Sequence, residues 1–583
     1  MKLLKKLNNK IEKEVNLWDH YYNGKNDISV PDCSIYHYLE KTSYNRGNKI
    51  ALNYFNHKIT FKELFNSIDI CAKALTSQGV RKNDAVTICM PNTPEAVIAF
   101  YAVNKIGAIA NMIHPLSSEE EIKNSIITTK SVMVIAINLS YQKLVNIINQ
   151  TDVYKVVIVS AKDSMPSLLG LGYLVTQEWK LHISKSNEKF IYWADFFNRG
   201  YSYQSSCDVY RSKDDDAIYL HSGGTTGIPK NIVLTNANVN AVLEQARILL
   251  PELGEEDSLL AILPMFHCFG LVVGICAPLV FGATVDLIPQ FDAKRFDKLI
   301  RKYRPTVLTG VPTLYEALIK NPYMINLDMS YLKYIISGGD TLSPEKNKAV
   351  NEFLQAHNCK KHVIQGYGMT ETTGPVCFGA LGSDKLGSIG IPFPGDQLKI
   401  IDIDTKEEKK PGEIGEICIT GPCVMSRYLD NPTETNNILI KHEDGKIWVH
   451  TGDLGYVDED GVFFFVQRLK RMLIVSGYNV YPNYVEEIIM KHPSVDLCGV
   501  IGIPHPYKVQ VPKAYIVLKK DVDNPNEVLK EIKEHCEKNL AKYMIPKEFV
   551  IRDSLPKTII GKINYRELEK EQSENLMKLA LDS

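Results

Sequence analysis

Residues 261–285, AILPMFHCFGLVVGICAPLVFGATV, carry no formal charge over a stretch longer than the roughly 20 residues that cross a bilayer. A chain with such a run must either span a membrane or bury the run in a large core. Pro264 and Pro278, with glycines at 270, 274 and 282, divide it into shorter pieces, and no Lys/Arg cluster flanks either end. The pattern predicts a buried strand, helix and strand, and no transmembrane span. The chain can supply the core: 583 residues correspond to about three to four average domains. Hydrophobic residues make up 45% and charged residues 23%, a balance that excludes a disordered or collagen-like chain.

Charge and cysteine usage narrow the function classes. The 67 Lys+Arg nearly cancel the 68 Asp+Glu, so no nucleic-acid partner is expected. No Cys-x-x-Cys pair occurs among the 12 cysteines, and the closest two, Cys418 and Cys423, have no His or Cys cluster beside them in sequence. Reduced, packed thiols in a cytoplasmic protein are the expectation. The opening MKLLKKLNNKIEKEV lacks the continuous apolar run of a signal peptide. Residues 1–30 read as a lysine-rich extension, a solvated helix being preferred to a membrane-peripheral contact.

Helical periodicity alternates with β-branched runs over most of the first 350 residues, which predicts parallel α/β layers. Phe61, Leu64, Phe65, Ile68, Cys71 and Leu75 recur at helical spacing, and Gly79 is placed to end that helix in a left-handed conformation. Residues 85–90 read as a strand. Thr93-Pro94-Glu95 and Ser343-Pro344-Glu345 each combine a hydroxyl cap, a proline at the first helical position and an early acid. Beyond about residue 395 strands shorten and turns multiply, and Asp460-Gly461 reads as a hairpin turn. From Lys470 the order strand, helix, strand, strand, helix, strand suggests a small α+β domain, with helices near 484–491 and 526–540. The expected fold is α/β: a large multi-subdomain unit over 31–469, with layered sheets and a small β subdomain, followed by a small mobile α+β domain over 470–583.

The most informative segment follows a short strand at 217–220, where Ser222, Gly223, Gly224, Thr225, Thr226 and Gly227 precede Lys230. Glycines let backbone N–H groups converge, hydroxyls donate further hydrogen bonds and the ammonium supplies a point charge, a combination that suits polyphosphate. An ordinary turn has similar composition. The spacing is not that of a Walker A loop, since Pro229 precedes the lysine.

HSGGTTGIPKNIVLTNANV resembles the phosphate loop of the adenylate-forming (AMP-binding) superfamily, and further motifs similar to that family follow in order. They are PMFHCFG (264–270), TGVPTLYEAL (309–318), SGGDTLS (337–343), QGYGMTETTG (365–374), GSIGIPFPG (387–395), TGDLGYVDEDG (451–461), QRLKRMLIVSGYNVYP (467–482) and LPKTIIGKINYREL (555–568). The resemblance covers about residues 35–570 and points to the acyl-CoA synthetase, or fatty-acid-CoA ligase, branch.

That resemblance implies an ATP- and Mg²⁺-dependent enzyme that converts a carboxylic acid to an acyl adenylate and passes the acyl group to the thiol of CoA. It assigns phosphate binding to Ser222–Gly227 and Lys230, and Mg²⁺ and phosphate to Thr370 and Glu371. Tyr367 would stack on adenine beside Gly338, Gly339, Gly366 and Gly368, and Asp453 and Arg468 would take the ribose hydroxyls. Lys562 would be the catalytic lysine of the small domain, Lys470 the hinge between half-reactions, and Gly477 part of the pantetheine path. His267, Val311, Tyr315 and Phe378 are the candidates for the acyl pocket. Phe266-His267-Cys268 lacks the aspartate with which amino-acid adenylation domains hold a substrate ammonium, which argues against an α-amino acid; the resemblance to the fatty-acid-CoA ligase branch implies a medium- or long-chain acid. Two alternatives stand beside this reading: an acyl-AMP ligase that loads a separate acyl-carrier protein, and a non-catalytic nucleotide-binding subunit. Chain length and oligomeric state are not legible.

Overall fold

Short apolar runs assemble into two mainly parallel sheets in the computed structural model, which describes residues 18–22, 24–166, 170–173, 188–221, 230–379, 382–383, 385–475, 478–505, 509–520, 522, 524–557 and 562–581. In the first sheet the strands Ile50–Tyr54, Thr284–Leu287, Ser258–Ala261, Val307–Gly310, Tyr334–Ser337 and Val363–Met369 lie parallel in that spatial order. Antiparallel strands finish both edges, His57–Thr60 on one side and Gly374–Phe378 with Ile391–Pro392 on the other. The second sheet places Asp216–His221, Ile109–Met112, Ala85–Cys89, Ser131–Ile137, Lys155–Val159 and Phe190–Tyr192 in parallel. Asn231–Thr235 and then Arg427–Tyr428 extend it antiparallel. Every residue of Ala85–Cys89 and Ile109–Met112 is buried, as expected of strands covered on both faces.

The predicted helix starts form as their side chains dictate. Thr93 accepts from the Ala96 N–H ahead of Pro94–Lys105, a helix with all its residues buried. Ser343 accepts from the Lys346 N–H at the start of Pro344–Ala356. Thr60 and Glu63 cap Phe61–Ser77 reciprocally, and Gly79 beyond it has φ +100°.

The uncharged stretch resolves into the strand Ser258–Ala261, a π-helix Phe269–Cys276 continuing as Ala277–Phe281, and the strand Thr284–Leu287. Among the described residues no helix is long and apolar enough to cross a membrane. Apolar periodicity gave no sign of the π turn. A Cβ on Gly270 would stand 2.1 Å from the Pro264 carbonyl oxygen, so only glycine permits this entry into the helix.

Two compact units emerge, residues 1–398 with 419–449 and residues 399–418 with 450–583. The second unit thus takes in 450–469, which sequence character grouped with the large domain. Within it, residues 453–457 pair antiparallel with Phe463–Arg468 through the Asp460-Gly461 turn, Gly461 having φ +78°. Beyond residue 470, helices at Pro482–Met490 and Pro525–Asn539 fall where expected, and the strands Val495–His505 and Val509–Leu518 form a long antiparallel pair. An opening hairpin, Leu473–Val475 with Tyr478–Val480, and a final helix, Tyr565–Leu581, exceed the predicted order. All twelve cysteines are free thiols; eleven are buried and Cys33 is partly exposed.

Candidate active site

Two neighbouring parallel strands of the first unit end side by side at Gly310 and Ser337, and the third, level with them at Gln365, leaves the parallel pairing there and continues to Met369 against Gly374–Phe378. Open α/β sheets take ligands beyond the carboxyl ends of their strands, and these ends run into Val311, Gly338-Gly339 and Thr370-Glu371. Gly339 has φ +77°, a conformation that favours glycine. A Cβ on Gly338 would stand 3.2 Å from the Phe269 ring. At Gly368 it would fall 1.8 Å from the Gly374 carbonyl oxygen, so close hairpin packing alone accounts for that glycine. Gly366 and Tyr367 are half-buried in the same strand.

Glu371 is buried, and its carboxylate accepts a hydrogen bond from the Tyr428 hydroxyl at 2.9 Å. Burial, reinforced by the Glu371 charge, pushes the Tyr428 phenol far up, so that it remains an O–H donor. The Met425 N–H donates to the Glu371 carbonyl oxygen at 2.8 Å. Lys230 lies over the Tyr428 ring, 4.8 Å from its centre, and forms an ion pair with Glu434. Tyr428 therefore touches two residues that the sequence had nominated from motifs 141 positions apart in number (371 less 230). Sequence reading missed it, because nothing local distinguishes this tyrosine from the other 29. A hydroxyl at Thr370 and a carboxylate at Glu371 are hard oxygen donors of the kind that Mg²⁺ takes, so these residues fit the ion.

Strand position also explains His221, another residue that sequence reading passed over. It closes the strand Asp216–His221 immediately before Ser222, 2.8 Å from Asn111 Oδ1, and burial pulls its pKa down to about 4. Ser222, Gly223, Gly224, Thr225, Thr226 and Gly227 lie outside the described residues, as does Gly477.

The second unit brings Asp453 and Arg468 face to face as cross-strand partners, with Arg468 Nε 3.6 Å from a carboxylate oxygen of Asp453. Asp453 is buried and Arg468 exposed. The turn that carries Asp453 is tied to the strand Gly415–Thr420. Glu416 accepts from the Gly452 N–H at 3.0 Å and lies 3.0 Å from His450 Nδ1. Burial opposes ionisation of Glu416, but the His450 ring and the Gly452 N–H outweigh it and hold the carboxyl below its ordinary value.

Lys470 is exposed in the turn Leu469–Arg471, next to Arg471, whose guanidinium is paired with Glu486 at 2.7 Å and stacked 3.6 Å from the centre of the Tyr565 ring. Lys562 is half-buried and precedes Ile563, which bridges to Lys557; Asn564 donates its N–H to the Pro556 carbonyl at 2.8 Å.

The four acyl-pocket candidates separate. Val311 approaches Gly339, Phe378 approaches Gly366, and half-buried His267 is adjacent to Phe266, whose ring lies 4.3 Å from that of His114. Tyr315 is a correction: it is fully enclosed in an apolar cluster and its hydroxyl donates to the Ile336 carbonyl at 2.7 Å. Its place on the buried face of Pro312–Lys320 makes it core, not pocket wall.

Comparison with known proteins extends this picture. The AMP-binding enzyme family matches residues 39–429, and the AMP-binding enzyme C-terminal domain matches 484–562. A long-chain-fatty-acid--CoA ligase of Bacillus subtilis (strain 168) is 32% identical over 553 residues, covering 94% of this chain and 96% of that protein. The long-chain-fatty-acid--CoA ligase of Salmonella typhimurium is 31% identical over 85% of this chain and 86% of its own length. Among solved structures, the anthranilate CoA ligase AuaEII in complex with anthranoyl-AMP superposes with a TM-score of 0.81 at 25% identity, covering 95% of this chain and 99% of that one. ATP-bound MatB from Rhodopseudomonas palustris does so with 0.80 at 23% identity, covering 92% and 98%.

Proposed function

The chain belongs to the AMP-binding enzyme family, and from that premise we propose that it is an AMP-forming acyl-CoA synthetase for a medium- or long-chain fatty acid. A carboxylate oxygen attacks the α-phosphorus of ATP; an oxygen–phosphorus bond forms and pyrophosphate leaves, giving the acyl adenylate. The sulfur of CoA then attacks the acyl carbon, the bond to AMP breaks, and the thiol proton passes to solvent. The observation that carries this reading is end-to-end similarity, 32% identity across 94% of the chain, to a protein named for that reaction class.

The residues divide the work. Negative charge gathers at the α-phosphate as the first bond forms, which calls for fixed cations and donors. We assign that task to Lys562, and phosphate binding to Lys230 with Ser222–Gly227. Thr370 and Glu371 would hold Mg²⁺, which when bound neutralises phosphate charge. Asp453 and Arg468 take the ribose hydroxyls, an acceptor and a rigid donor already paired across two strands. Tyr367 stacks on adenine. Lys470, exposed beside the anchored Arg471, serves as the hinge between the two half-reactions, and Gly477 lines the pantetheine path. Val311, His267 and Phe378 line the acyl site. We place the enzyme in the cytoplasm.

Incubation of the purified protein with ATP, Mg²⁺ and pooled fatty, aromatic and amino acids, with CoA or an acyl-carrier protein in parallel, tests this reading by mass spectrometry. Fatty acyl-CoA is the expected product. Acyl-AMP that persists with CoA and disappears onto the carrier protein would move the function to carrier loading; ATP binding without pyrophosphate release for any acid would support a non-catalytic subunit.

A further inference from the structure

Asp453 stands on a turn whose shape is set from the neighbouring strand. We propose that Glu416 is a positioning residue for nucleotide recognition, holding Thr451-Gly452-Asp453 so that the Asp453 carboxylate meets the ribose hydroxyls; this rests on the ribose assignment of Asp453 made above. Four hydrogen bonds carry the argument. One Glu416 oxygen accepts from the Gly452 N–H at 3.0 Å, and the other lies 3.0 Å from His450 Nδ1. The Thr451 hydroxyl donates to the Ile417 carbonyl at 2.7 Å and accepts from the Asp453 N–H at 3.0 Å. Residues 450, 451 and 452 are thus each bound to 416 or 417, and 453 is bound to 451.

Gly452 has φ +66°, so the backbone at this point leaves the extended course of the strand, and the Glu416 carboxylate fixes the departure. Glu416 is 5% exposed, and a buried carboxylate with both oxygens hydrogen-bonded holds its partners more rigidly than a neutral acceptor would. The same face offers a rival reading. Ligand atoms of Glu416, Cys418 and His450 lie within 4.8 Å of one another, a spacing that suits a zinc ion. Both Glu416 oxygens are already engaged and Cys418 is fully enclosed, which favours the hydrogen-bonded clamp.

Full-length wild-type protein, Glu416→Gln, Thr451→Val and Asp453→Asn are compared in acid-dependent pyrophosphate exchange with ATP, 2′-deoxy-ATP and 3′-deoxy-ATP, alongside calorimetric binding of each nucleotide. Wild type is expected to favour ATP over the deoxy analogues. Glu416→Gln should raise KM for ATP about five- to ten-fold with kcat within about two-fold, and should shrink the ATP preference toward that of Asp453→Asn. Thr451→Val, which leaves the buried charge intact, should shift both in the same direction by a smaller factor. Loss of preference in Asp453→Asn with full preference in Glu416→Gln and Thr451→Val would overturn the clamp while sparing the Asp453 assignment. Full preference in Asp453→Asn would overturn the assignment itself and the proposal with it. One equivalent of zinc in the purified protein, lost in Glu416→Gln, would also overturn the clamp.

Discussion

Glu371 and Asp453 are both buried carboxylates, yet the two units hold them by different means. Glu371 lies in the short turn that joins Val363–Met369 to its antiparallel partner Gly374–Phe378, and a neutral phenol donates to its side chain at 2.9 Å. Asp453 sits in an antiparallel pair, where a cation faces it at 3.6 Å and a second carboxylate holds its turn. At Glu371 the turn's backbone is held by the Met425 N–H, which donates to the Glu371 carbonyl oxygen at 2.8 Å, and one phenol holds the side chain. At Asp453 the backbone bends within a strand, and side chains of the neighbouring residues go into holding that bend. Asp286 is a third buried carboxylate, held like Glu371 by a neutral donor. It lies mid-sheet with the Asn53 amide at 2.7 Å, and burial pushes its pKa up to about 7.

Perturbing each arrangement separately tests this contrast. Lys562→Ala is expected to have the largest effect, lowering acyl-AMP formation about 1000-fold while ATP binding by calorimetry stays near wild type; unchanged adenylation would show that the catalytic charge resides elsewhere. Glu371→Gln removes charge where charge is the function, and a loss of about 100-fold in pyrophosphate exchange is expected, with a higher Mg²⁺ concentration for half-maximal rate. Asp453→Asn keeps an acceptor, so about a 10-fold loss, expressed in KM for ATP, is expected. If the two losses came out equal, the division between a charge role and a hydrogen-bonding role would collapse.

Asp286→Asn should have the smallest effect on activity, acting on stability alone. The folded carboxyl binds its proton more tightly than the unfolded one, so stability falls as pH rises from near 4 through about 7. Asparagine does not titrate, and the variant should therefore gain on wild type between pH 4 and pH 8, by up to about 4 kcal/mol in denaturant titrations, while its activity stays near wild type. A gain that shrank with rising pH would contradict the burial account.

Much of the scaffold was legible because its signals are local. Thr93-Pro94, Ser343-Pro344, Gly79 and Asp460-Gly461 each act within a few residues, and each forms as its chemistry requires. The uncharged run of 261–285 was also readable, since proline and glycine spacing excluded a single long helix. What stayed hidden depends on partners far apart in sequence. Glu416 meets Gly452 across 36 positions and Tyr428 meets Glu371 across 57, and no periodicity records either pairing. Tyr315 misled because an aromatic next to a pocket motif looks the same whether it faces the pocket or the core. Gly368 carried two meanings at once, a ligand glycine by resemblance and a packing glycine by geometry.

The distribution of thiols has a practical consequence for spectroscopy. Eleven of the twelve cysteines are enclosed, and burial pushes their pKa values up, for example to about 11 at Cys89 and about 12 at Cys276, so that little thiolate exists at neutral pH. Cys33 alone is partly open to solvent. A maleimide dye added to the native wild-type chain should therefore settle on one position in the first unit, giving a site-specific fluorescent reporter without engineered cysteines.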